Sequence, residues 1–524
     1  MSIAAPPPTD PTLGAGHRPP RASPPERDAT RTIVVGAGFG GIAAALRLRA
    51  RGDRVTLIDR LDHLGGRARV FSRNGYTFDA GPTVITAPFL IDELFALFGR
   101  RTADYVTLAP VDPWYRVRFH DGTHFDYTGD RDRTLEQIRA IEPRDADGYL
   151  RMLRACDEIY RVGFEKLGDQ PFDRPGDMLA ALPDMVRLRS FRSVYAFAAA
   201  HLRSEKLRQV FSFQPLLVGG NPFKTSSIYA LIQSLERRFG VHYAMGGTGA
   251  LVNALGRLME DAGIDIRLGE TVDRIDTLGG RIAGVTLERG ERLPADRVVS
   301  NADPAMVYQR LLPAEPRSWR TRNRSRSMKQ SMGLFVIYFG ARRTYPDLAH
   351  HTILLSDRYK ELLADIFDRG RLPADPSLYV HAPTRTDPAM APEGRECFYA
   401  LAPVPNLKSG AKTGIDWERE GDRFREVVLD RIEKELAPGL RDHIESEFYL
   451  TPEYFRDELR STDGAGFGVQ PLLSQSAYLR FHTTCPHYRG LHFVGAGTHP
   501  GAGIPGVLTT AKTLERALDR ETAR

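Results

Sequence analysis

The chain is poor in cysteine and has no long apolar run, and each shortage removes a class of protein. Its three cysteines, Cys156, Cys397 and Cys485, show neither metal-ligand spacing nor a disulfide framework. They read as ordinary thiols of a reducing cytoplasm. No uninterrupted apolar stretch reaches the roughly 18–20 residues that a membrane-crossing helix needs. The first thirty or so residues are rich in Pro, Ala and Arg and lack the apolar centre of a secretory signal, so 1–31 is expected to be a disordered tail. No basic run is interleaved with aromatics, which argues against nucleic acid as a partner. What remains is 524 residues, 42% hydrophobic and 26% charged, enough for two or three domains with sizeable cores. A formal charge of +6 suits an enzyme working at an anionic lipid surface.

Glycine, by contrast, is concentrated near both ends. Ile33-Val34-Val35 is a β-branched run suited to a buried parallel strand. It leads into Gly36-Ala37-Gly38-Phe39-Gly40-Gly41, and the following Ile42-Ala43-Ala44-Ala45-Leu46-Arg47-Leu48 favours helix. In this G-x-G-x-x-G spacing Gly36 permits the tight turn, Gly38 lets backbone approach a pyrophosphate, and Gly41 lets helix pack on strand. A second strand, 54–58, ends in Asp59 followed by Arg60. A carboxylate there accepts from a ribose hydroxyl and repels a 2′-phosphate, which argues against NADP. Strand, turn, helix, strand and acid in this order predict a dinucleotide site.

Further on, Leu64-Gly65-Gly66-Arg67 pairs close-approach glycines with a cation for phosphate. Phe78-Asp79-Ala80-Gly81-Pro82-Thr83 reads as a strand end turning into a loop, with Asp79 fixing the turn. Near the other end, Leu491-His492-Phe493-Val494 is a strand and Gly495-Ala496-Gly497-Thr498 a turn. Then His499-Pro500-Gly501-Ala502-Gly503-Ile504-Pro505-Gly506-Val507 leads into a helix expected over 508–518, whose free N–H groups face a ligand.

The Gly65-Gly66-Arg67 element and the C-terminal turn resemble the two-dinucleotide-binding-domain flavoproteins, the superfamily of the amine oxidases. Interior segments narrow this. Leu217-Val218-Gly219-Gly220-Asn221-Pro222-Phe223, Gly246-Gly247-Thr248-Gly249-Ala250-Leu251, Ser300-Asn301-Ala302-Asp303, Leu401-Ala402-Pro403-Val404-Pro405 and the run from Gly495 to Gly506 resemble the bacterial-type phytoene desaturases. The resemblance implies FAD as cofactor and phytoene and partly desaturated carotenes as substrates. It favours lycopene over neurosporene as product. Related desaturases and ketolases share the scaffold. It also implies that Gly36, Gly38, Phe39, Gly41, Asp59, Arg60, Gly65, Gly66, Arg67, Gly81, Pro82, Thr83, Val272, Gly495, Ala496, Gly497, Thr498, Gly503, Ile504, Pro505, Gly506 and Val507 hold the cofactor, Val272 by offering backbone to the adenine.

The expected architecture is α/β. A Rossmann-like FAD-binding domain spans 32–105, 240–305 and 485–524. An α+β substrate domain with a mixed sheet and a helical, membrane-facing part spans 106–239 and 306–484. Expected sheet strands include 115–119, 334–339, 378–381 and 397–402. In 178–213, Leu179, Leu182, Val186, Phe191, Val194, Tyr195 and Phe197 alternate with arginines, a pattern open to two readings: domain helices or an interfacial surface. The second would make the protein cytoplasmic and peripherally associated with the bacterial inner membrane.

A hydrocarbon offers nothing to hydrogen-bond, so recognition rests on shape and apolar burial, and catalysis on placing an allylic C–H against the flavin. Asp177 matches an acidic family position, although Gly176 and Ala180 replace the arginines that flank it there. It also suits a helix N-cap. His499, beside the expected flavin edge, is the second catalytic candidate. Amine oxidation would call for an aromatic cage and a lysine, and 493–507 holds neither Trp, Tyr nor Lys. Non-catalytic escort proteins of prenylated GTPases typically lose flavin motifs that are intact here. No second nicotinamide fingerprint occurs, which leaves oxygen or a membrane quinone as the electron acceptor.

Overall fold

The computed structural model describes residues 29–312 and 325–523. The tail expected at 1–31 therefore lies, up to residue 28, outside the described residues. Five parallel strands form the first sheet, in the order Leu491–Phe493, Arg297–Ser300, Arg31–Val35, Arg54–Asp59, Asp265–Leu268. The β-branched run is its centre, with Val34 opposite Val299 on one side and Leu57 on the other. The sheet thus joins strands from both ends of the chain and from its middle.

The helix Phe39–Ala50 packs directly on three of its strands, and further helices pack on that helix. Phe39–Ala50 is alanine-rich and almost wholly buried, which brings it close to the sheet and to the closing helix Ile504–Thr522. That closing helix begins earlier than expected, because Pro505 falls in its first turn, where its missing N–H costs nothing. The buried Arg47 guanidinium pairs with Glu515 and with Glu93 of the helix Phe89–Ala96, each at 2.8 Å. One cation thereby joins three helices.

The second sheet has seven strands in the order Ile444–Leu450, Gly333–Ala341, Glu396–Val404, Leu378–His381, His351–Leu354, Tyr115–Arg118, His124–Tyr127. All pairs are antiparallel except His351–Leu354 with Tyr115–Arg118. Alternation sorts the side chains of Gly333–Ala341. Phe335, Ile337 and Phe339 pack with Trp417, Phe424 and Ile432 of the helix Trp417–Glu435. Leu334, Val336 and Tyr338 point the other way, against Tyr76 and Phe78. Helices including Asp145–Tyr160, Pro175–Arg187 and Leu231–Phe239 close the space opposite that second face.

Asp79 ties the two parts. It ends the strand Tyr76–Asp79, and its Oδ1 accepts from the Thr248 N–H at 2.7 Å, near the start of the helix Gly247–Asp261. Its carboxyl is buried, and burial pushes it up to about 7. Between about pH 4 and pH 7 the folded chain therefore holds a proton that the unfolded chain has lost, so stability falls as pH rises through that window. Asp79→Asn keeps an acceptor for Thr248 without the charge. It is expected to flatten the pH dependence of the unfolding midpoint and to be the more stable protein at pH 8. An unaltered slope would refute a buried, titrating Asp79.

Candidate functional site

The two glycine-rich ends meet. Asn301, just past the strand Arg297–Ser300, lies between them: its Oδ1 is 2.6 Å from where a Gly40 Cβ would sit and 2.4 Å from that of Gly495. A Gly40 Cβ would also stand 2.9 Å from the Gly495 Cα. At Gly41 a Cβ would be 1.9 Å from the Gly36 carbonyl oxygen, so helix and turn touch only because glycine is there. The motif reading found these glycines but not Asn301, whose short Ser-Asn-Ala-Asp context carries no signal of contact with either end.

Around this junction opens a cavity of about 780 Å³ that continues between the mixed sheet and the helices. Its first half is walled by Gly36, Gly38 and Phe39, by Asp59 and Arg60, by Gly65, Gly66 and Arg67, by Val272, and by Ala496 and Gly503–Val507. Gly81, Pro82, Thr83 and His499 stand where it widens. Gly41, Gly495, Gly497 and Thr498 lie behind the wall and shape it. Thr498 Oγ1 donates to the Gly495 carbonyl at 3.0 Å, and the Gly495 N–H donates to Thr510 Oγ1 at 2.9 Å.

The polar groups of this half suit an anionic, elongated ligand. The helices Phe39–Ala50 and Ile504–Thr522 both begin at a glycine with no side-chain cap and no acidic residue in the first turn. Their free N–H groups and dipoles face the cavity. Arg67 is a half-buried cation whose Nε has no hydrogen-bond partner, and desolvation lowers its pKa. Its other end donates to Ser461 Oγ at 2.9 Å. Asp59 accepts from the Ala37 N–H at 2.6 Å and the Leu61 N–H at 2.9 Å, locking the glycine turn. Burial raises its pKa against these bonds. Arg60 leans away, pairing with Glu458 at 3.2 Å.

The second half is largely apolar. Phe164, Leu167, Phe172, Phe213, Leu217, Ile228 and Leu235 line it, and no lysine does among the described residues. The helix Asp145–Tyr160 relaxes to π geometry at Arg161–Lys166, where Gly163 and Phe164 face inward. Polar side chains interrupt the apolar wall, Tyr379, Tyr399 and Glu236 among them. Tyr379 and Tyr399, from adjacent strands, bring their hydroxyls to Thr83 Oγ1 at 3.0 and 2.9 Å. Glu236 accepts from Tyr115 Oη at 2.9 Å, and burial pushes it up to about 8, so it is mostly neutral at pH 7. The aromatic search confined to 493–507 missed this tyrosine pair, which the sheet supplies.

The two catalytic candidates fare differently. Asp177 is the third residue of the helix Pro175–Arg187, not its N-cap. Arg174 takes that position, and its N–H donates back to Asp177 at 3.2 Å. The Asp177 carboxylate also pairs with Arg520 of the closing helix at 3.1 Å, and Asp177 is not on the cavity wall. His499 is on the wall. Its Nε2–H donates to the Leu167 carbonyl at 3.1 Å, its ring stands edge-on to Phe172, and burial lowers it to about 4.

The helix Pro175–Arg187 carries two apolar stripes. Met178, Ala181 and Met185 face the cavity. Leu179, Leu182 and Val186 face outward at 68, 49 and 59% exposure, joined by Phe191 at 67%. The outer surface stops there, because Val194 and Phe197 are buried in the helical core. No helix among the described residues is long and apolar enough to cross a membrane.

The model of the flavin containing amine oxidoreductases matches residues 39–514. Lycopene-forming phytoene desaturases are similar: that of Pantoea ananas is 45% identical over 92% of this chain and 97% of its own length. That of a Paracoccus species is 46% identical over 94% and 97%. A neurosporene-forming phytoene desaturase of Cereibacter sphaeroides is 43% identical over 94% and 95%. Among solved structures, an oxidoreductase from Methanosarcina mazei has a TM-score of 0.64 at 18% identity, covering 93% of this chain and 100% of that one. A putrescine oxidase bound to putrescine has 0.61 at 16%, covering 95% and 99%. These two show the shared fold. The chain belongs to the flavin-containing amine oxidoreductase family and, within it, to the phytoene desaturases.

Proposed function

We propose that this chain is an FAD-dependent desaturase that converts phytoene through partly desaturated carotenes to lycopene. The observation that carries the reading is a single cavity, anion-binding at one end and apolar at the other, in a chain 43–46% identical to three phytoene desaturases over nearly its whole length. FAD, when bound, takes two electrons and one hydrogen from a saturated carbon pair, leaving the other hydrogen to depart as a proton. The FAD-binding part is 32–105, 240–305 and 485–524, and the substrate part 106–239 and 306–484. The Gly36–Gly41 turn, the Gly65-Gly66 pair and Arg67 would hold the diphosphate, Asp59 a ribose, and Val272 the adenine side. Gly81, Pro82 and Thr83, with Ala496 and the start of the closing helix, would hold the flavin. The apolar walls orient a hydrocarbon by shape and exclude water.

Asp177, committed to Arg520 outside the wall, is given a structural role. His499 fixes the Leu167–Phe172 side of the cavity against the flavin loop. Membrane docking is assigned to Leu179, Leu182, Val186 and Phe191, because the same helix lines the cavity on its other side. A hydrocarbon thus passes from lipid to cavity without crossing water. Oxygen or a membrane quinone then takes the electrons.

Incubation of FAD-loaded protein with phytoene in liposomes, followed by absorption spectra, is expected to show the coloured, extended polyene of lycopene. Unchanged phytoene under both aerobic and quinone-supplied conditions would contradict the substrate. Replacing Leu179, Leu182, Val186 and Phe191 by Ser should lower liposome co-sedimentation at least about tenfold, since each buried apolar side chain is worth about 1.5–3 kcal/mol. Undiminished binding would remove this surface from the docking role.

A further inference from the structure

Behind the tyrosine pair, strand register assembles a line of polar groups that the cofactor and docking roles leave unused. His351 lies opposite His381 across one strand pair, and His381 lies opposite Tyr399 across the next. Tyr379 is two residues before His381, so all four side chains share one face of the sheet. Hydrogen bonds run outward from the cavity in two segments, one ending at His351 and the other starting at His381. Thr83 Oγ1 is 3.0 Å from Tyr379 Oη, and Tyr379 Oη is 2.7 Å from His351 Nδ1. His381 Nε2 is 3.1 Å from His350 Nε2, and His350 Nδ1 is 2.6 Å from Thr386 Oγ1, on a half-buried residue.

The three imidazoles are buried, with ring centres 4.4–5.4 Å apart. One nitrogen of each lies within 4.8 Å of one nitrogen of the others. His351 Nε2 and His381 Nδ1 are the two ring nitrogens without a hydrogen-bond partner. A water between these two nitrogens, accepting from one and donating to the other, would satisfy both and join His351 to His381. Burial holds His350 at about 3 and the other two well below their usual value, so all three stay neutral, each able to accept on one nitrogen while donating from the other.

We propose that this line is the proton exit of the desaturation: a proton released from substrate carbon enters at the Thr83–Tyr379 pair and leaves through His351, His381 and His350 to Thr386. The inference rests on the desaturase reading and assigns the residues that complete it. FAD, when bound, would take one hydrogen together with both electrons of its C–H bond. The neighbouring C–H bond breaks with its electron pair staying behind as the new C=C bond, and its proton passes to Thr83 Oγ1 as the Thr83 proton moves to Tyr379 Oη. Tyr379 passes its own proton to His351 Nδ1. His351 Nε2 then gives one through water to His381 Nδ1, and His381 Nε2 gives one to His350 Nε2. His350 Nδ1 delivers the last to Thr386 and solvent. Neither catalytic candidate of the sequence offers such a path: Asp177 is off the wall, and the His499 Nε2–H is committed to the Leu167 carbonyl.

Tyr379→Phe removes one oxygen from the inner end, and Thr386→Val removes the outer hydroxyl away from the cavity. Flavin bleaching by phytoene in liposomes is followed in H₂O and D₂O with FAD-loaded protein. Histidine ¹⁵N spectra and metal content are measured without substrate. Native protein is expected to show a solvent isotope effect of about 2 or more. Tyr379→Phe should bleach about 10–100-fold more slowly, with KM within about twofold and the isotope effect changed, and should shift one hydrogen-bonded imidazole signal. Thr386→Val should slow bleaching several-fold with native KM. Native rates and isotope effects in both variants would overturn the relay, as would one tightly held metal ion per chain, since a metal would occupy the lone pairs. Failure of the native protein to bleach with phytoene counts against the substrate reading. Whether the hydrogen-bonded line exists is then decided by the histidine spectra alone, an unmoved spectrum in Tyr379→Phe overturning it.

Discussion

Everything at the cofactor end depends on a contact that only glycine allows. The first helix and the C-terminal turn approach each other across Asn301 closely enough that a single methyl on Gly40 or Gly495 would collide with it. This contact holds the start of the chain against its end and sets the uncapped starts of the helices Phe39–Ala50 and Ile504–Thr522 around one cavity. Two helix N-termini and the half-buried Arg67 then create a region that favours negative charge.

The other half of the cavity follows from a different requirement. A sheet face carrying Leu334, Val336 and Leu401, opposed by helices carrying Phe164, Leu231 and Leu235, makes a wall with almost nothing for a polar ligand. Near Thr83 the hydroxyls of Tyr379, Tyr399 and Thr83 satisfy one another. The helix Pro175–Arg187 resolves how such a space meets the outside. Its inner stripe completes the wall, while its outer stripe, one residue out of phase, remains exposed.

Local chemistry made the cofactor end legible in the sequence. Strand, glycine turn, helix and terminal acid are contiguous, and Asp59, Arg67 and the glycines line one cavity or lie just behind its wall. The parts that were not legible come from long-range pairing. Asn301 matters only because strands from three distant stretches lie side by side. The histidine and tyrosine line exists only in the registers of His351 with His381 and of His381 with Tyr399. Asp177 matches an acidic family position, and its ion-pair partner Arg520 lies at the far end of the chain, where no local pattern links the two. In 178–213 periodicity marked apolar positions without saying which would be covered: Val194 and Phe197 are, Leu179 and Phe191 are not.

A structure determined with phytoene bound tests most directly whether one continuous cavity joins the exposed helix to the cofactor. The expected result is an extended hydrocarbon running between the Met178–Met185 stripe and Thr83, touching apolar walls along its length. A hydrocarbon bound elsewhere, with ordered water filling the space between Met185 and Thr83, would contradict it.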